Sequence, residues 1–253
     1  MAKTYHKIQH WDRWLAHFLG HAVLESERHF LSSVLSQYYG NQIILIGTPH
    51  QQTLLKSSAV PNQYLITPLF TQNKHGKIRT VESNLHELPI ASGSVDLVLL
   101  PHILEYIDNP HQLFTEACRI IKPEGHIIIT GFNPYSLWGL KKLWAKRTTI
   151  PWSGHFIKAS QIKKWLSLAD FELIKHSTHL YRPPVNHEKI YHQLAFLETT
   201  GKWFHSPFGG VYTVVAQAKV IPLTPIKLSW KQKISDVRLT NIGIPKPIAR
   251  NHP

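Results

Sequence analysis

The sequence predicts an open, mostly parallel α/β sheet, and three observations carry that prediction. From Gln42 to Thr130, apolar segments of strand length alternate with helix-like segments. Val95–Leu100 and His126–Thr130 are nearly continuous apolar runs, the pattern of strands covered on both faces. Between them lies a capped, amphipathic segment closed by the turn residues Lys122-Pro123-Glu124-Gly125. Leu85–Asn133 therefore writes out turn, buried strand, short helix, capped helix, tight turn and buried strand.

The elements follow in order. Trp11–Tyr38 reads as a long amphipathic helix, or as two helices with a break near Gly20. Its stripe is Trp11, Trp14, Leu15, Phe18, Leu19, Ala22 and Val23, resumed by Phe30, Leu31, Val34, Leu35 and Tyr38 after the polar stretch 25–29. Gly40 is a helix stop. The helical region is either a cover on one flank of the sheet or a lid over a pocket. Gln42–Gly47 is a short buried strand. Leu54, Leu55 and Ala59 suggest a short helix after it. Gln63–Phe70 and Ile78–Val81 are further strands.

After Val95–Leu100, Asp108 or Asn109 caps a helix that has Pro110 at its first position. Leu113, Phe114, Ala117, Ile120 and Ile121 form its buried stripe, and Cys118 on the same face reads as a structural thiol. Downstream, Ser160 caps a helix over 161–169, and Asp170 supplies the left-handed stop. Phe171–Tyr181 is a strand, Tyr191–Thr199 a helix and Gly210–Ala218 the last strand. The expected organisation is a helical extension over 1–40, the α/β domain over 41–219, and a basic, Pro-containing, disordered tail over 220–253.

Composition bounds the function. The chain has 253 residues, of which 43% are apolar, so one sizeable core is available. No run is long enough to span a bilayer, and the amino terminus lacks a signal-peptide core, so a cytoplasmic protein is expected. One cysteine excludes an internal disulfide and a Cys-based zinc site. His17 and His21 lie one helical turn apart without a third ligand, so no metal is expected. The net charge is +13, and from Ile221 onward six Lys or Arg face one acid. That tail is either merely solvated or an arm for nucleic acid or an anionic surface.

The stretch LPIASGSVDLVLLPHILEYIDNPHQLFTEACRIIKPEGHIIITGFNP resembles the central and late motifs of class I S-adenosylmethionine-dependent methyltransferases, and more narrowly the type 11 methyltransferase domain. Trp11–Gly47 and GFNPYSLWGLKKL resemble an uncharacterised proteobacterial methyltransferase-like group. The resemblance implies a Rossmann-like sheet of seven strands, mostly parallel, with an antiparallel last strand. It also implies S-adenosylmethionine along the carboxyl edge of that sheet. Gly47 and Thr48 would then face the cofactor, in a loop where the usual three glycines are reduced to Gly47-Thr48-Pro49. That loop, with one glycine and a proline, argues against a pyrophosphate-type dinucleotide site. No acid ends the second strand, where this fold usually holds the ribose. Asn84 stands where an Asp usually bonds the adenine amino group, and its carbonyl accepts the same bond. Leu85 would flank the adenine, and Leu100 and Pro101 would line the methionine end.

Methyl transfer relies on positioning, with a base needed only for weakly acidic nucleophiles. The candidates are His102 as general base, with Glu105 orienting it or acting itself. Asn133, Tyr135 and Trp138 are candidate substrate contacts. The basic, aromatic segment 133–151 is a helix packed on the sheet, a pocket cap, or a surface for anionic lipid or RNA. The expected function is methyl transfer to a small or lipid-like acceptor. The alternative is a non-catalytic methyltransferase-like binding protein that works on RNA, an anionic surface or a protein partner.

Overall fold

The computed structural model describes residues 2–70, 78–146, 148–203 and 206–220. The expected tail, apart from Val220, falls outside them. Seven strands form one sheet in the order β3-β2-β1-β4-β5-β7-β6: β1 Gln42–Ile46, β2 Asn62–Thr67, β3 Arg79–Glu82, β4 Val95–Pro101, β5 Ile121–Phe132, β6 Phe171–His179 and β7 Val211–Ala218. β1, β2, β3, β4 and β5 pair in parallel, while β7 runs antiparallel to both β5 and β6. The sheet is thus mostly parallel, as the sequence predicts. β2 is shorter than the predicted 63–70 and ends at Thr67.

The chain leaves β1 toward β2 on one side and leaves β4 toward β5 on the other. Right-handed crossovers then put the two connections on opposite faces of the sheet. The crevice between the ends of β1 and β4 is the topological switch point, where open α/β sheets hold ligands. The β1–β2 connection is a 3-10 helix, Pro49–Ser57. The β4–β5 connection carries α3, Pro110–Ile120, which buries Leu113, Phe114, Ala117 and Ile120; Asn109 caps it by accepting from the Gln112 amide. Ile121 begins β5 instead of ending the helix. Beyond β5 come α4 Leu137–Trp144 and α5 Ala159–Leu168, with α6 Glu188–Gln193 and α7 Phe196–Trp203 between β6 and β7. The single helix predicted over 191–199 is therefore two.

The amino-terminal region is two helices, α1 Ala2–Leu15 and α2 Phe18–Leu35. They break at Ala16-His17, four residues before the glycine expected to break them. Gly20 lies inside α2, and a Cβ there would come 2.1 Å from the Trp14 carbonyl oxygen. Its task is to let the two helices cross closely. Both helices belong to one compact unit with the sheet. α2 runs along β5: Tyr38, just past the helix, packs on His126 in the middle of the strand, and Glu27 reaches Thr130 toward its carboxyl end. α1 crosses the carboxyl edge instead. Lys7 pairs with Asp108 at 3.1 Å, Thr4 donates to the same carboxylate, and Asp12 accepts from the His50 amide at 3.1 Å. α2 thus lies against the sheet, and α1 lies across its carboxyl edge.

At the opposite edge, Asp96 holds the sheet together. Its carboxylate accepts from the amides of Asn41 and Gln42, both at 2.9 Å, and from Lys122 Nζ at 2.8 Å. Burial pushes this carboxyl up, but Lys122 and the two amides outweigh burial and hold it below its ordinary value. A depressed carboxylate stabilises above its unfolded pKa and loses that contribution as pH falls through the folded value. Asp96→Asn is therefore expected to cost about 1.5–3 kcal/mol near neutral pH. Thermal unfolding of both proteins from pH 7 down to pH 3 should show the gap closing on the acid side.

Candidate functional site

The left-handed backbone of His102, φ 54°, marks the site. Such a conformation costs a non-glycine residue on the order of 1–2 kcal/mol. Side-chain bonding compensates for it here. His102 follows Pro101 at the end of β4, is wholly buried, and donates its amide to Thr130 O at 3.0 Å. Its Nδ1 lies 2.9 Å from Glu105 Oε2, and its Nε2 lies 3.1 Å from Glu27 Oε1. Glu27 also accepts from the Thr130 hydroxyl at 2.5 Å, and Glu105 accepts from the Phe132 amide at 2.8 Å. The ring of Trp11, from α1, closes the cluster. It stacks on Tyr106 at 4.8 Å and leans on His102 at 5.2 Å.

Charge in this cluster follows from its partners. Burial pulls the His102 imidazole down, but the carboxylates of Glu27 and Glu105 outweigh it and raise the group to about 9. Burial pushes Glu27 up, and His102 and Thr130 then bring it below its ordinary value. For Glu105, burial prevails over the same imidazole and the carboxyl is raised. At neutral pH His102 is an imidazolium beside the Glu27 carboxylate. Three buried polar atoms around it lack a protein hydrogen bond: His102 Nε2, Glu27 Oε2 and Trp11 Nε1. The 3.1 Å contact between His102 and Glu27 is thus ionic more than directional.

Beside this cluster, at the switch point, Gln51 occupies the space a glycine-rich loop leaves open. Its Oε1 accepts from the Thr48 amide at 2.9 Å and its Nε2 donates to Pro101 O at 2.9 Å. Gly47 is needed for that approach, since a Cβ there would meet Gln51 Oε1 at 2.5 Å. Gly47, Thr48, Leu100 and Pro101 are all buried here. A separate cavity of about 540 Å³ opens at the ends of β2 and β3. Pro68, Glu82, Asn84, Leu85 and His86 line it from the sheet edge, with Tyr5 and Ile8 of α1 above. Asn84 Oδ1 accepts from the His86 amide at 3.1 Å, and His86 Nδ1 is buried without a protein partner.

The three residues read as substrate contacts lie beyond β5. Asn133 donates to the carbonyls of Pro207 and Gly209 at 2.8 and 3.0 Å and accepts from the Tyr135 amide at 3.1 Å. Its side chain staples two loops. Trp138 is fully buried, stacked on Phe132 at 5.4 Å and bonded to Arg182 O. Tyr135 faces water, with Lys158 Nζ 5.4 Å from its ring centre. Glu27, Gln51 and Glu82 were not foreseen. Glu27 had a signal: it stands between Val23 and Leu31 at helical spacing, an acid inside an apolar stripe. Gln51 had one too, in the capping-box spacing Thr48-Pro49-His50-Gln51.

Residues 58–129 match the methyltransferase domain model. The uncharacterised protein YafS of Escherichia coli is 31% identical, over 79% of this chain and 78% of its own. A S-adenosylmethionine-dependent methyltransferase structure from Thermotoga maritima superposes with a TM-score of 0.64 at 16% identity, over 85% of this chain and 100% of that one. Geranyl diphosphate C-methyltransferase of Streptomyces coelicolor, solved with S-adenosylhomocysteine, gives 0.54 at 15% identity over 79% and 80%. This chain belongs to the class I S-adenosylmethionine-dependent methyltransferases.

S-adenosylmethionine is the cofactor of that family. The residues present fit its adenosine half. The cavity has an apolar wall in Ile8, Leu85 and Ile107, a carboxamide in Asn84, an unpartnered ring nitrogen in His86, and the carboxylate of Glu82. Glu82 pairs with Thr67 across β2 and β3, so an acid stands one strand away from the expected ribose position. At the methionine end, the side chains of Gln51 and Trp11 fill the crevice. Among the described residues, no cluster of three or more His, Cys, Asp or Glu is arranged to hold a metal, and no helix is long and apolar enough to cross a membrane.

Breaking a buried ion pair from one side leaves an uncompensated charge. Glu27→Gln is therefore expected to destabilise the protein by about 3–5 kcal/mol. The sign with pH follows from the raised imidazole: its contribution is full below about 6.5 and fades as pH rises through about 9. Melting temperatures of the native chain should fall over that window, and those of Glu27→Gln should fall less.

Proposed function

We propose that the protein transfers a methyl group from S-adenosylmethionine to a small or lipid-like acceptor. The observation that carries this reading is the polar-tipped cavity at the ends of β2 and β3, beside the switch point of a methyltransferase sheet. Asn84 and His86 would hold the adenine edge, Leu85 and Ile8 its faces, and Glu82 the ribose hydroxyls. When bound, the cofactor supplies an electrophilic methyl on a sulfonium. The chain supplies alignment and a destination for the proton that the acceptor gives up. His102 is protonated at neutral pH, so it serves as a fixed cation. Glu105, whose carboxyl burial raises above its ordinary value, is the group better suited to take that proton, while Glu27 holds the imidazolium as its counter-ion. Glu105 anchors the imidazolium to the Phe132 amide.

The filled crevice favours a second reading, a methyltransferase-like binding protein without turnover. Calorimetry with S-adenosylmethionine and S-adenosylhomocysteine separates the two. The enzyme reading predicts saturable heats. Asn84→Ala should weaken binding by about 1 kcal/mol, the loss of one hydrogen bond. Gln51→Ala should tighten it, because no side chain then has to leave the crevice. Absence of binding at millimolar ligand leaves the non-catalytic reading standing, and unchanged affinity in Asn84→Ala removes the adenine assignment.

A further inference from the structure

α4 is amphipathic the wrong way out. At 100° per residue, Leu137, Leu140, Leu143 and Trp144 share one face about 120° wide. That is the face turned to water: Leu143 is 75% and Trp144 81% exposed. The opposite side buries Trp138 and Gly139 against the sheet. The patch extends past the helix. Tyr135 is exposed just before it, and Asn133's bonds to the carbonyls flanking Phe208 bring that exposed ring to the same rim. Clustered aliphatic side chains on a soluble surface mark a contact site.

Charge identifies the partner. From Gly125 to Ala169 the chain contains no Asp or Glu and seven Lys or Arg. Lys146, just beyond α4, is exposed, and Lys158 is exposed beside Tyr135. Outward leucines beside the exposed cations Lys146 and Lys158, with a tryptophan and a tyrosine on the same surface, match the acyl–headgroup boundary of an anionic bilayer. A single-stranded nucleic acid would want aromatic faces for stacking, and three of the four exposed positions on α4 are aliphatic.

We infer that α4, with the Tyr135 and Phe208 loops, is an interfacial docking surface for anionic lipid membranes. The helix would lie in the plane of the headgroups, its outward leucines among the acyl chains. Since α4 follows the carboxyl end of β5, docking sets the cofactor edge of the sheet close to the membrane. That a lipid-borne acceptor is taken up there rests on the methyltransferase reading; the docking itself does not.

The test is flotation of the full chain with vesicles of phosphatidylcholine alone and of phosphatidylcholine with about one-third phosphatidylglycerol, at low and high salt. It needs no cofactor, so its failure and that of the methyltransferase reading are separable. Expected is flotation with the anionic vesicles, weakened by salt, and reduced tenfold or more in Leu143→Glu/Trp144→Glu with unchanged circular dichroism. A fluorophore on Leu143→Cys, in a Cys118→Ala background, should shift to the blue on the anionic vesicles. The proposal is overturned by any of three results: no flotation at low salt, flotation undiminished in the double variant, or a label that stays in water. Retention of RNA by this surface without vesicle binding overturns it as well.

Discussion

One buried ion pair, His102 with Glu27, joins the parts of this molecule that must act together. The imidazole belongs to the end of β4, and the carboxylate belongs to α2, with Thr130 of β5 as their common neighbour. Two charges out of water are costly, and mutual attraction in a low dielectric repays that cost only when geometry is held. Here it is held from every side: Glu105 at the ring's Nδ1, Trp11 against it, and a left-handed backbone at the end of β4. Strain of this kind persists where the surroundings over-determine it, and it gathers at functional sites. The pair thereby fixes where α2 lies on the sheet, and the loops after β4 and β5 are fixed with it.

The cofactor edge is divided by the same arrangement. Toward β2 and β3 it opens into a cavity with polar tips; toward β1 and β4 it is filled by Gln51 and Trp11. A glycine-rich loop would leave the second half free for a methionine moiety. This chain instead bridges β1 to β4 with a carboxamide that bonds to backbone on both sides. Such a bridge lets Gln51 compete with any ligand for the Thr48 amide and the Pro101 carbonyl. On the proposed reading, cofactor affinity is a contest between two occupants of one crevice.

Much of the fold was legible because it rests on local patterns. Continuous apolar runs gave β4 and β5, Asn109-Pro110 gave the start of α3, and Asp170 gave the left-handed stop, observed at φ 58°. The site was less legible, since it is assembled from distant parts. His102 and Glu105 could be named from their place after β4. Glu27, 75 residues upstream of His102, could not, because only the docking of α2 on β5 brings it there. The break between α1 and α2 was misplaced for a related reason: a glycine that permits close helix crossing reads, in one dimension, like a glycine that ends a helix. Asn133 and Trp138 stand near the right edge of the sheet, but their polar atoms are engaged by backbone that lies close only in three dimensions.

The central claim is that His102 is a cation held between two carboxylates. Nitrogen-15 chemical shifts of its ring, assigned against His102→Gln, test this most directly. At pH 7.5 both ring nitrogens should carry protons and should titrate only near pH 9. A neutral tautomer at pH 7.5, with one protonated and one bare nitrogen, would contradict the account.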